Sequence, residues 1–181
     1  MADHDKLDRS PSLRRMSESD LAQVLEWRNT DRIRGSMFMD RVILWEQHQA
    51  WYRRIKDDPS TVYLIFEYWG VPAGVVNFSR LDSHHRKGEW GFYLGSDDLP
   101  RGTGTIMGKL GLKFAFEELG LHKLIGEALV ANEASVNFHL KLGFVQEGYF
   151  KDHILKNGKF EDVISFALLE EHYLQRRFTD E

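Results

Sequence analysis

The segment Leu99–Gly120, LPRGTGTIMGKLGLKFAFEELG, decides how the rest of the chain is read. An arginine and two closely spaced glycines, Gly102 and Gly104, open directly into an amphipathic helical pattern. Glycine lets backbone amides come close to a ligand, and the first amides of a helix have no partner within it. The positive end of the helix dipole adds attraction for anions. The segment therefore predicts a pyrophosphate cradle. A P-loop requires GxxxxGK[ST], and here Lys109 is followed by Leu110 instead of a hydroxyl. Gly102, Gly104 and Gly108 spell GxGxxxG, close to a dinucleotide fingerprint. A Rossmann strand, however, runs straight into its first glycine, whereas residues 96–100 separate the strand-like EWGFYL from Gly102. An ordinary helix start with turn glycines also fits the spacing.

Two signatures identify a family. The order of strand, short polar loop, Arg-Gly-x-Gly and helix resembles the acetyl-CoA loop of the GCN5-related N-acetyltransferases, whose pattern is Arg/Gln-x-x-Gly-x-Gly/Ala. Arg101 and Gly104 match, while Ile106 stands at the final small position, a departure that alters the coenzyme's fit. Downstream, NEASVNFHLKLGF (Asn132–Phe144) resembles the family's second signature, an Asn-led helix ending in Leu-Gly-Phe. The resemblance runs from Met16 to Leu169. It implies an α/β fold with a mixed central sheet of about seven strands, splayed at the fourth and fifth strands and flanked by four helices.

Composition agrees with one domain. The 181 residues are 42% hydrophobic and 13% aromatic, enough for a core. A net charge of −4 argues against nucleic acid as partner. The chain has no cysteine, which excludes disulfides, thiolate metal sites and a cysteine nucleophile. No apolar run has membrane-spanning length, and MADHDKLDRSP lacks a signal-peptide core, so a cytoplasmic location is expected. Residues 1–11 read as a loose segment and residues 12–175 as a single acetyltransferase domain.

Periodicity orders the elements. LRRMSE reads as a first strand. Helices follow over DLAQVLEWRN, capped by Ser17 or Ser19, and over LWEQHQAWYRRIKDD, ended by Asp58-Pro59. VYLIFEYW, AGVVNFSRL and GEWGFYLG form a strand meander. The glycine-loop helix, the strand KLIGEALV and the Asn132 helix come next, then two strands joined at Asn157-Gly158. The acidic helix end LLEEHY reads as solvated surface.

The resemblance also places the chemistry. Backbone amides from Gly102, Thr103, Gly104, Thr105 and Ile106 are expected to hold pyrophosphate, with Arg101 at the rim. Phe92, Tyr93 and Leu94 are expected beside the thioester, Asn132 at the pantetheine arm and Lys141 near the outer phosphate. Glu89 is the expected base, acting directly or through a water. Where the family commonly has a proton-donating tyrosine, the register lands on His139, read as the acid for the leaving thiolate; Ser135, one turn earlier, shares its face. No metal is expected, since His84-His85 lacks further ligands at metal spacing.

The segment WRNTDRIRGSMF (Trp27–Phe38) crowds arginines among aromatics. Arginine forks match phosphates, and flat or thioether surfaces stack on rings. Arg28, Asn29, Arg34, Met37, His48 and Trp51 are therefore read as acceptor-binding. "WRN…IR…MF" before an E-H-x-x-W-like helix resembles the N-acetyltransferases of pseudaminic-acid biosynthesis, which acetylate the 4-amino group of a UDP-linked 4-amino-4,6-dideoxy sugar. Ribosomal-protein N-terminal acetyltransferases carry a similar opening. The reading is thus an acetyl-CoA-dependent N-acetyltransferase for a nucleotide-linked amino sugar. Protein N-termini and polyamines are alternative acceptors, and a non-catalytic acetyl-CoA sensor is a different class. A homodimer is possible in such a fold.

Overall fold

In the computed structural model, which describes residues 10–177, seven strands form one sheet in the order β1-β2-β3-β4-β5-β7-β6. The strands are β1 (Ser12–Arg15), β2 (Val62–Tyr68), β3 (Val71–Asp82), β4 (Lys87–Leu94), β5 (Lys123–Leu129), β6 (Val145–Lys156) and β7 (Lys159–Leu169). Between β1 and β2 lie α1 (Leu21–Asn29), α2 (Asp31–Ser36) and α3 (Trp45–Ile55). α4 (Thr103–Lys113) joins β4 to β5, α5 (Glu133–Lys141) joins β5 to β6, and α6 (Glu170–Arg177) ends the described chain. The expected residues 1–11 segment lies mostly outside the described residues.

Both faces of the sheet are covered, which is why β2 reads as a nearly unbroken apolar run. Leu64, Phe66, Val76, Phe78 and Trp90 pack with Met107, Leu112 and Phe116 on the α4–α5 side. Ile65 and Val75 pack with Val24, Trp27, Ile33 and Tyr52 on the α1–α3 side. Alternation along each strand divides the side chains between these two layers.

Three boundaries differ from the sequence reading. Among the described residues six α-helices are present where four helices were expected. α2 is a short extra helix whose N-cap Thr30 accepts a hydrogen bond from Ile33 N, and only Ile33 gives it an apolar anchor. Its single buried residue leaves no periodicity to read. α6 covers the segment read as solvated surface, because Tyr173 stacks on Phe116 at 4.8 Å and donates to Glu117 at 2.7 Å. α4 continues into a π-turn over Phe114–Glu118. The Asn157-Gly158 turn is as expected, with φ of 52° and 75°, the pair of positive values a tight hairpin requires.

The sheet divides where its one parallel pairing ends. β4 and β5 pair from Lys87–Lys123 to Trp90–Gly126. Beyond that rung β4 stays with β3 as far as Leu94–Gly74, and β5 stays with β7 as far as Leu129–Val163. The two strands therefore splay after Trp90 and Gly126. Gly126 has no room for a side chain: a Cβ there would lie 2.3 Å from His139 Nε2 and 2.7 Å from Trp90 Nε1. Gly126→Ala is expected to lower stability by about 1–3 kcal/mol through overpacking; urea denaturation checks this.

Candidate active site

The cradle forms as the glycines require. Gly102 takes a left-handed φ of 98° as the N-cap of α4, a conformation that strains other residues. No side chain caps this end, so its dipole and amides face outward. The Thr103 hydroxyl, however, donates to the Pro100 carbonyl at 2.7 Å and is buried. It braces the turn and contributes only backbone to the cradle. Lys141 Nζ reaches across from α5 to Thr105 Oγ1 at 2.9 Å, setting its cation beside the cradle. Arg101 and Ile106 are exposed at its rim.

From the cradle a cavity of about 580 Å³ runs into the splay. Gly104, Phe92, Tyr93, Leu94, Asn132 and Ser135 line it. Asn132 caps α5, its side-chain oxygen accepting from Ser135 N at 3.1 Å. Gly104 lies against Leu94 and Phe138, where a Cβ would take up cavity space 3.7 Å from Leu94. A slot that runs from a helix N-terminus along Phe92, Leu94 and Phe138 suits a pantetheine arm and its pyrophosphate.

His139 does not take the role read for it. It is 1% exposed, stacked on Phe166 at 5.0 Å and enclosed by Phe92 and Phe144. Nδ1 donates to the Ser135 carbonyl at 2.8 Å, which leaves Nε2 to accept from Trp90 Nε1 at 3.2 Å. This network assigns a single neutral tautomer. Burial pushes the imidazole's pKa below its ordinary value, against a smaller opposing effect of the Ser135 carbonyl. With both nitrogens committed, His139 has no proton for a leaving thiolate; it is a structural residue. Ser135 does line the cavity.

Carboxylates gather at the splay. Glu89 lines the cavity, and its Oε1 is ion-paired with Arg80 at 2.8 Å. Glu127, which sequence reasoning missed, lines the same cavity from β5. Desolvation pushes its pKa up, and the negative charge of Glu89 adds to this. A lone glutamate in KLIGEALV gave no signal, because only the strand pairing brings it opposite β4.

A second cavity, of about 500 Å³, opens on the α1–α3 side and meets the first at Arg28, Met37 and Tyr93. Arg28, Arg41 and Arg54 line it with His48, Trp51 and Tyr63. Among the described residues no carboxylate lines it. Arg28 Nη1 and His48 Nε2 are buried without a hydrogen-bond partner among the described residues. Desolvation lowers the pKa of His48, and the Arg28 charge lowers it further. The His48 ring stacks on Trp51 at 5.0 Å, and Trp51 meets Tyr63 edge-on at 4.9 Å.

Two acceptor residues are corrected. Asn29 spends both ends of its amide on Ile43, accepting from N at 2.8 Å and donating to O at 2.9 Å. It clamps the loop before α3. Arg34 is ion-paired with Asp31 on its own helix and lines neither cavity. Arg32 lines the splay cavity instead, held by Asp97 at 2.7 Å and the Leu94 carbonyl at 2.9 Å. Arg41 and Arg54 lay outside the crowded arginine segment and were not read as acceptor-binding.

The model of the acetyltransferase (GNAT) domain matches residues 12–145. The chain belongs to the GNAT acetyltransferase family. It is an acetyl-CoA-dependent N-acetyltransferase. It is 23% identical over 166 residues to a spermidine N(1)-acetyltransferase of Vibrio cholerae, covering 91% of this chain and 96% of that one. It is 30% identical over 122 residues to the putative ribosomal N-acetyltransferase YdaF of Bacillus subtilis, covering 67% of each. The crystal structure of the Vibrio cholerae spermidine N-acetyltransferase in complex with CoA and spermine shares the fold. Its TM-score is 0.86 at 22% identity, over 91% of this chain and 98% of that one. Among the described residues, no cluster of three or more His, Cys, Asp or Glu forms a metal site, and no helix is long and apolar enough to cross a membrane.

The buried histidine sets a stability prediction. Below about pH 6.5 the unfolded chain takes up a proton that folded His139 refuses, so its stabilising contribution is present above that pH and lost on acidification. Unfolding measured from neutral to acidic pH should show stability falling with acid, and less steeply in His139→Ala. That variant should also lose about 2–4 kcal/mol at neutral pH, from a cavity and an unpaired Trp90 N–H.

Proposed function

We propose that the acceptor is an amine on a phosphate-bearing, ring-containing molecule, best matched by a nucleotide-linked amino sugar of the pseudaminic-acid type. The observation that carries this is the cavity on the α1–α3 side: three arginines and stacked aromatics and, among the described residues, two unpartnered polar atoms and no carboxylate. Guanidinium forks bind phosphate oxygens, and Trp51 offers a flat surface for a planar ring. The cavity opens onto the splay through Arg28 and Tyr93, so an amine carried by such a ligand reaches the thioester from this side.

In the reaction the amine nitrogen attacks the thioester carbonyl carbon. A C–N bond forms and the C–S bond breaks; the ammonium nitrogen gives up two protons and keeps one as the amide N–H, one proton ending on the leaving sulfur as the thiol and the other passing to water. The cradle amides and Lys141 grip the coenzyme, while the Ser135 hydroxyl is the proposed hydrogen-bond donor to the leaving sulfur.

A polyamine is the second reading. The names of the relatives favour it and lend no support to a nucleotide sugar, and Glu89 with Glu127 offers a polycation somewhere to dock. The arginine-lined cavity opposes it by like-charge repulsion.

Thiol release from acetyl-CoA separates these readings. The UDP-4-amino sugar is expected to support turnover in preference to spermidine and to a ribosomal-protein N-terminal peptide. Arg28→Ala should raise its KM about 10- to 100-fold, the loss of a charge-assisted hydrogen bond, with the KM for acetyl-CoA unchanged. Preference for spermidine, with KM indifferent to Arg28, replaces the nucleotide-sugar reading by the polyamine one.

A further inference from the structure

Asn77 on β3 stands directly opposite Gly91 on β4. Strand alternation puts it on the same face as Val75, two residues earlier, which packs into the α1–α3 core. The Asn77 side chain therefore rises on the side of the arginine cavity, which it lines together with Gly91. The neighbouring rungs on this face are Val75–Tyr93 and Ser79–Glu89. Gly91 is thus a gap between two large side chains, Tyr93 and Glu89. The Asn77 amide leans into that gap: a Cβ on Gly91 would lie 2.7 Å from Asn77 Oδ1.

The gap lies where the two cavities join. Gly91 is the first residue of β4 beyond the last rung shared with β5, and it lines both cavities. Gly91 and Tyr93 form the sheet side of the junction, while Arg28 and Met37 border it from the helices. An acceptor held on the α1–α3 side brings its amine over Gly91 to reach the splay, within reach of the amide. Among the described residues the Asn77 amide makes no hydrogen bond. Filling the junction strips water from this half-buried group, and a ligand that leaves it unpaired loses affinity.

The chemistry of the amide selects the ligand. It offers an acceptor, Oδ1, and two donors on Nδ2; it carries no charge and takes no proton. A primary amine supplies N–H groups to the acceptor. Satisfying the donors as well takes an oxygen close to that amine, which a plain alkylamine lacks.

We propose that Asn77 is a specificity-determining residue. Its amide selects acceptors with a hydroxyl on the carbon next to the amine-bearing carbon, by bonding both groups, and so turns the nitrogen into the split. Gly91 is kept without a side chain so that the amide can lie there. This rests on the acetyl-transfer reading and narrows the acceptor to a vicinal amino alcohol, with or without a nucleotide attached.

The test uses the full chain and two small probes that carry no nucleotide, trans-2-aminocyclohexanol and cyclohexylamine. They differ only in the hydroxyl. Wild type should release thiol from acetyl-CoA with a kcat/KM for the amino alcohol about 10-fold above that for the plain amine, the worth of one or two hydrogen bonds. Asn77→Ala should abolish this preference with the KM for acetyl-CoA unchanged. Gly91→Ala, whose methyl would strike the amide, should do the same and add nothing in the Asn77→Ala background. Binding is read without turnover from the NMR signals of the Asn77 Nδ2 protons. They should move further with the amino alcohol than with cyclohexylamine, and they decide the matter where neither probe is acetylated. Equal kcat/KM for the two amines, a preference that survives Asn77→Ala, or side-chain amide signals indifferent to the hydroxyl overturns the proposal. Failure of the nucleotide sugar as substrate leaves this test in place, and its success with Asn77→Ala fully active overturns this inference alone.

Discussion

The hydrogen bond from Trp90 Nε1 to His139 Nε2 sits on top of Gly126, at the rung where β4 and β5 last pair. It ties α5 to both strands at the point where they part. With Nδ1 bonded to the Ser135 carbonyl, one neutral imidazole links the first turn of α5 to the edge of the split. A charged imidazole would have a second N–H facing the indole N–H, and both would be unsatisfied. The aromatic shell of Phe92, Phe144 and Phe166 keeps water from offering an alternative partner. Ser135 and the Asn132 cap are held at the slot by this same chain of contacts.

The division of charge follows from the splay. On one side of the sheet a glycine-capped helix start, with no acidic residue in its first turn, and Lys141 present positive potential. On the other, arginines line the α1–α3 cavity. Between them stand Glu89 and Glu127. Among the described residues, the carboxylates lining the two cavities are Glu89 and Glu127, both at the split. Lys156, near the β6–β7 turn, donates to the carbonyls of Gly35 and of Met37, the latter at 2.8 Å, and so ties the end of α2, whose C-cap Met37 lines both cavities, to the last hairpin.

Much of this was legible in the residues. The left-handed start of α4 at Gly102 was legible because that backbone has few other solutions. The order of strands followed from their alternation, and Asn157-Gly158 fixed the last hairpin. The errors share a cause. His139 lands in a register where relatives place a proton donor, yet linear position does not reveal that Gly126 leaves a niche for its ring. Asn29 and Arg34 sit beside Arg28 in the chain, but an amide matched to the Ile43 backbone and an arginine paired with Asp31 are consumed locally. Glu127, Arg41 and Arg54 come from separate segments and meet only through tertiary packing.

The central claim is that the gap between β4 and β5 is the coenzyme slot and that the α4 N-terminus is its phosphate cradle. Backbone amide NMR shifts followed during titration with acetyl-CoA test it most directly. The account predicts the largest shifts at Gly102–Ile106, at Phe92–Leu94 and at Asn132–Ser135, with little change in the α1–α3 cavity residues Trp51 and Arg54. Shifts concentrated around that cavity, with the α4 amides unmoved, would contradict it.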